Sequence, residues 1–162
     1  MSLLKFCEWL SRTPLSVVLR EGAYEYPVLL IIHLTSIAVF GGMVVMGNLR
    51  VLGWAMRRVP VSQVIGQFRA WKWTGFAILM VTGMLLAMSD PMEYYGNVMF
   101  WISMLLLLLA GANAMAFHFG AYRTVSSWDD APLAPAGARR WAGISLVLWI
   151  VLIFAGRAIA FF

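Results

Sequence analysis

The stretch Tyr24–Trp54 reads YEYPVLLIIHLTSIAVFGGMVVMGNLRVLGW. From Pro27 to Met46 it carries no charge. A helix needs about 20 apolar residues to cross the hydrocarbon core of a bilayer, so this run is long enough. His33, one of two histidines in the chain, lies inside it, and Arg50 lies near its far end. Steps of three and four residues connect His33, Ser36, Phe40, Met43, Gly47, Arg50 and Trp54. Those positions share one helical face. An ionisable side chain is costly in lipid, so this face is expected to meet protein or a cofactor.

The rest of the chain follows the same pattern. Its 162 residues are 62% hydrophobic and only 12% charged, where soluble domains are about one quarter charged. The apolar residues fall in long blocks. The expected fold is all-α: a four-helix transmembrane bundle forming one domain over residues 1–162, with short interfacial helices at the N-terminus. The net charge of +5 is spread over helix ends. It suits the bilayer's anionic headgroups and not nucleic acid. Trp9, Trp54, Trp71, Trp73, Trp101, Trp128, Trp141 and Trp149 fall mostly near expected span ends, as in an aromatic belt. Cys7 is the sole cysteine, which excludes an internal disulfide and a thiolate set for zinc or an iron–sulfur cluster. Lys5, Glu8, Arg12 and Pro14 interrupt residues 1–20, so no cleavable signal peptide is expected.

Residues 2–22 are expected to form surface helices. SLLKFCEWLSR has helical spacing of Leu3, Leu4, Cys7 and Leu10. Thr13-Pro14 reads as an N-cap followed by proline at the first helical position, and Gly22 as a stop. Four spans are expected at about 26–56, 64–88, 97–122 and 138–161. The acidic segment DPMEYYGN joins the second and third, and the Ser-, Asp- and Pro-rich segment 124–138 forms the one clear loop. Asp90, Glu93, Asp129 and Asp130 read as solvated turn residues.

Four spans put both termini on one side. The 57–72 and 124–140 side carries Arg50, Arg57, Arg58, Arg69, Lys72, Arg123, Arg139 and Arg140; the terminal side carries only Lys5, Arg12, Arg20 and Arg157. The positive-inside rule then predicts a bacterial inner-membrane protein with both termini in the periplasm. His33 would lie about 9 Å inside the outer edge and His118 about 30 Å from it. Each layer gains a basic partner: Arg157 with His33, and Arg50 with His118. A b-type haem wants an axial nitrogen and cations for its propionates. This pattern predicts haem b held by His33 in the outer layer and by His118 in the inner one, with Arg157 and Arg50 neutralising propionates. The second axial ligand would be a histidine of another subunit, a methionine such as Met43, Met84 or Met88, or absent.

Ordinary structural roles compete with each assignment. His33 can be a buried histidine bonded to a neighbouring helix, and His118 can reach headgroups from a helix end. Arg50 on position alone is an anchor that snorkels to the interface. Arg157 can pair with Glu25 or Glu93. Met43 and Met46, and the stripe Met80, Met84 and Met88, have spacing that suits copper, but methionine also fills membrane cores. Gly41, Gly42, Gly47, Gly75, Gly83 and Gly111 read as close helix contacts. No nucleophile–base pair or phosphate loop is present.

The segments TPLSVVLREGAYEYPVLLIIHLTSIAVFGG, GNLRVLG, WKWTGFAILMVTGMLLAMSDP, LLLAGANAMAFH and FAGRAIAFF carry a resemblance over the whole chain. It resembles a family of small, uncharacterised bacterial membrane proteins with four helices, itself distantly similar to copper-resistance membrane domains and b-type cytochrome bundles. Tyr26, Pro27 and His33 match the family's first helix, Asn113, Phe117 and His118 the end of its third, and Gly156 and Arg157 its last. Asn48, Leu49 and Arg50 match an Asp-Leu-Arg-like segment with the acidic position lost. A lysine frequent early in the family's third helix is absent from FWISM. The expectation is an electron-carrying haem-b membrane protein, with quinone as a redox partner. The alternatives are a scaffold or membrane-complex subunit that homo-oligomerises, and a transporter of copper or another metal.

Overall fold

The computed structural model describes residues 3–67 and 69–161. Ser2 of the expected surface helix and residue 68 of the expected second span lie outside them. The described residues are helical, with no strand. Two short helices, α1 (Leu3–Ser11) and α2 (Pro14–Glu21), precede α3 (Glu25–Leu52). Then come α4 (Val61–Gln67), α5 (Arg69–Ser89), α6 (Pro91–Gly96), α7 (Val98–Phe119), a 3-10 turn (Ala121–Ser127) and α8 (Ala136–Ala158). Four helices, beginning at Glu25, Arg69, Val98 and Ala136, are long and apolar enough to cross a membrane.

Helix α8 packs on α7 and on α3, and α3 packs on α5, while α5 and α7 hardly touch. The bundle is therefore open between α5 and α7. Two antiparallel registers fix depth along it. Asn48 Nδ2 donates to Ser145 Oγ at 2.8 Å, and Gly41 faces the Trp149 ring. Asn113 Nδ2 donates to the Trp141 carbonyl, and Asn97 Nδ2 to the Ile159 carbonyl. Continued along the helices, these registers set Arg157 within about one turn of the level of His33. They also set His118 level with the start of α8, which puts the two histidines about 30 Å apart along the bundle.

Local chemistry explains the helix ends. Thr13 caps α2 by accepting from the Ser16 amide at 3.3 Å, with Pro14 at the first position, as its sequence predicts. Helix α2 does not merely lie on a surface: Ser16 is fully buried and its Oγ donates to the Ser89 carbonyl of α5. Helix α3 stops at Leu52, short of the expected residue 56. Gly53 takes a left-handed conformation, φ +73°, and donates to the Arg50 carbonyl, while the Trp54 amide donates to that of Leu49. This pair of bonds is the Schellman arrangement, which satisfies carbonyls that the helix end would otherwise orphan. The apolar run past Gly53 hid the stop. Trp54 leaves the predicted stripe and is exposed, and Trp128 and Trp149 are buried instead of lying in an aromatic belt.

The main core lies at the Arg50 end. Val51, Val61, Trp128, Ala134, Ala138 and Ala142 form one buried cluster there. A Cβ on Gly53 would sit 2.6 Å from Leu133 Cδ2 and 3.0 Å from the Pro132 carbonyl oxygen. Gly53→Ala therefore meets both backbone strain and a clash. It is expected to lower stability by about 2 kcal/mol or more, read as a lower thermal unfolding midpoint in detergent.

Candidate functional site

The stripe from His33 to Arg50 is the face of α3 turned to α5 and α4. His33 Nδ1 lies 2.8 Å from Thr82 Oγ1. Phe40 packs on Gly75 and Phe76, and Met43 also reaches Gly75. Gly47 lies beside Ile65. The glycines at 75 and 83 mark close helix contacts, whereas Gly42 and Gly111 have open space where a Cβ would be.

Thr82 Oγ1 is also 2.7 Å from the Ile78 carbonyl of its own helix. With its single proton on that carbonyl the hydroxyl accepts from His33, an assignment that puts the imidazole proton on Nδ1. The Nε2 nitrogen has no hydrogen-bond partner among the described residues. A Cβ on Gly83 would lie 3.1 Å from His33 Cε1, so a larger residue there would push the ring outward by a few tenths of an ångström. Sequence reading missed Thr82 because the pairing depends on an antiparallel register between helices 49 residues apart.

Arg50 does not snorkel. It is fully buried. Its Nε donates to the Val59 carbonyl at 2.6 Å, and its Nη2 donates to the carbonyls of Asp129 and Ala131 at 3.2 and 3.1 Å. Its Nη1 has no partner among the described residues. Asp129 completes this knot and is not a free turn residue. Its carboxylate accepts from the Ser62 amide at 2.7 Å and from Ser62 Oγ at 2.5 Å, and its carbonyl accepts from the Val61 amide. A residue far along the chain thus caps α4. The two hydrogen bonds from Ser62 hold the Asp129 carboxyl below the ordinary value of 3.8, helped by the Val61 amide and the Arg50 charge and opposed by burial.

The other predicted residues lie apart. His118 stacks on Tyr122 with ring centroids 5.4 Å apart and meets Phe119 edge-on. Arg157 is exposed, with its guanidinium 4.6 Å from the centre of the Phe161 ring. It forms no ion pair with Glu25 or Glu93 among the described residues. Met84 and Met88 line an apolar pocket of about 200 Å³ among α1, α5, α6 and α7, on the face of α5 away from His33. Tyr94 borders that pocket, and burial together with a hydrogen bond to Tyr26 pushes its hydroxyl well above the usual range. Among the described residues no three His, Cys, Asp or Glu side chains cluster as around a metal ion.

A family model described as a family of unknown function, DUF6644, matches residues 6–162. The chain belongs to that family. Comparison with curated proteins and with solved structures finds no match. In this DUF6644 member two polar features involve the predicted residues. One is the Arg50–Asp129 knot, in which Nη1 lacks a partner among the described residues, and the other is the His33–Thr82 pair with one ring nitrogen unengaged.

Arg50→Lys is expected to destabilise the protein by about 2–3 kcal/mol in thermal unfolding, because a single ammonium cannot serve three carbonyls held in a fork. The depressed Asp129 carboxyl stabilises the fold in its charged form. That contribution is whole above the unfolded carboxyl's titration and is lost as pH falls through 3.8 and below. Thermal unfolding followed from pH 7 to pH 3 should show this loss, and Asp129→Asn should flatten the acid limb of the profile.

Proposed function

We propose that this protein is a membrane-embedded b-type haem protein that carries electrons, with His33 as an axial ligand. The observation that carries the reading is the 2.8 Å contact between His33 Nδ1 and Thr82 Oγ1. A histidine that ligates through Nε2 characteristically gives its Nδ1 proton to a fixed acceptor, which orients the ring and raises its basicity. Thr82 Oγ1 is such an acceptor, and it is itself held by the Ile78 carbonyl. Arg157 lies near the same level and is the cation that would neutralise a propionate. The bound haem would supply one-electron chemistry. This chain's part is to orient the ligand ring, exclude water from it and balance charge.

The reading keeps one layer. Arg50 is committed to three backbone carbonyls and His118 to a stack on Tyr122, so the inner positions offer less for a second haem. Met84 and Met88 face the pocket among α1, α5, α6 and α7, so any further ligand to a haem held by His33 would come from outside this chain. An inner-membrane location with both termini in the periplasm, and quinone as the redox partner, belong to the same proposal. The location and orientation rest on the basic side chains gathered at the Arg50 end.

A second reading has an observation of its own. The His33–Thr82 bond joins α3 to α5, so it serves equally in a scaffold subunit with no cofactor. One set of spectra separates the two. Protein purified from haem-replete membranes is expected to show a b-type reduced-minus-oxidised band. His33→Ala should abolish the band, while Thr82→Val should keep it and shift its midpoint potential. A featureless wild-type spectrum, with His33→Ala lowering stability alone, would establish the scaffold reading instead.

A further inference from the structure

Helix α7 packs on one other span, α8. Beside that contact runs a groove of about 440 Å³ whose lining includes Leu109, Ala112, Asn113, Ala116, Trp141 and Ile144. Leu105, Leu109, Ala112 and Ala116 follow one another at helical spacing, and Ala112 and Ala116 form a small-xxx-small pair that lets another helix come close. Asn113 lies at the floor and is 6% exposed. Its Nδ2 donates one hydrogen to the Trp141 carbonyl at 3.2 Å, and its Oδ1 accepts nothing among the described residues. Lipid tails carry no donor for that oxygen, and an unsatisfied amide in hydrocarbon is costly.

We infer that a second copy of this chain docks in the groove through α7, with the two Asn113 amides hydrogen-bonded to each other. The chemistry selects this occupant. The amide has both an unmet acceptor and a spare donor hydrogen, and another amide satisfies both at once. Two copies with the same orientation in a membrane are related by a two-fold axis along its normal, which brings equal depths together, so residue 113 meets residue 113. Reaching a partner in the groove requires the Asn113 amide to rotate about its soft χ2 torsion, because its Oδ1 is buried in the single chain. This face is distinct from the one that holds His33, so the inference stands apart from the haem reading.

The test measures dimer fraction in lipid bicelles by single-molecule photobleaching, with cross-linking in a Cys7→Ser background. Wild type is expected to dimerise. Ala112→Cys and Ala116→Cys should cross-link on mild oxidation, and Ala114→Cys, on the opposite face of α7, should not. Asn113→Leu should weaken the dimer about tenfold. Because that variant also loses the bond to Trp141, Ala112→Leu serves beside it: it fills the groove, keeps Asn113 and should weaken the dimer at least as much. A monomeric wild type, cross-links at 114 in place of 112, or a dimer unchanged in both leucine variants would overturn the inference. The haem spectrum is expected to be the same in monomer and dimer.

Discussion

A single buried guanidinium organises one end of this molecule. Desolvating an arginine costs several kcal/mol, and the charge is tolerated only where its hydrogens find acceptors. Here the acceptors are backbone carbonyls from two separate loops: Val59 after α3, and Asp129 and Ala131 before α8. Hydrogen bonds to a charged donor contribute about 1.5–3 kcal/mol each, so three of them offset the desolvation. The Asp129 carboxylate adds a nearby negative charge and spends its own lone pairs on Ser62. The end of α3, the start of α4 and the turn into α8 are thereby fixed to one another. The buried cluster of Val51, Val61, Trp128, Ala134, Ala138 and Ala142 closes over them.

The other end is built differently. Its buried apolar cluster is smaller, made of Leu19, Leu29 and Leu86, and its polar contacts are single bonds between neighbours. A dense knot at one end holds the helices in register without need of a dense core at the other. That division lets the His33 end keep an unengaged ring nitrogen, and chemistry commonly sits where packing is locally weaker.

What the sequence revealed follows from the range of each interaction. Long apolar runs and proline–glycine punctuation are local, so four candidate spans, the capped α2 and the face of α3 that meets α5 were legible. The Schellman end at Gly53 was also local, but a continuing apolar run masked it. Asp129 was misread as solvated because its partners lie 67 positions away. Position alone made Arg50 a snorkelling anchor, and the pattern made it a propionate partner; its backbone acceptors stayed hidden for the same reason, since two of them are about 80 positions distant. Thr82 looked like any polar residue in a span until the antiparallel register put its hydroxyl against His33.

The level between the two polar ends bears on which chemistry the fold favours. Phe40 lies there, against Phe76 at 5.7 Å and Trp149 at 5.4 Å between ring centroids, and Trp73 meets Phe76 edge-on at 6.3 Å. The hydroxyls nearby are turned inward: Ser36 donates to Ile32 of its own helix, and Ser103 to Met99. An ion crossing the bundle would need a run of polar groups to replace its water, because a bare charge in hydrocarbon is unstable by many kcal/mol. These tilted and edge-on rings provide none. The aromatic layer thus separates the Arg50–Asp129 knot, which holds the fold together, from the His33–Thr82 pair at the other end, and it puts apolar rings at the level between them.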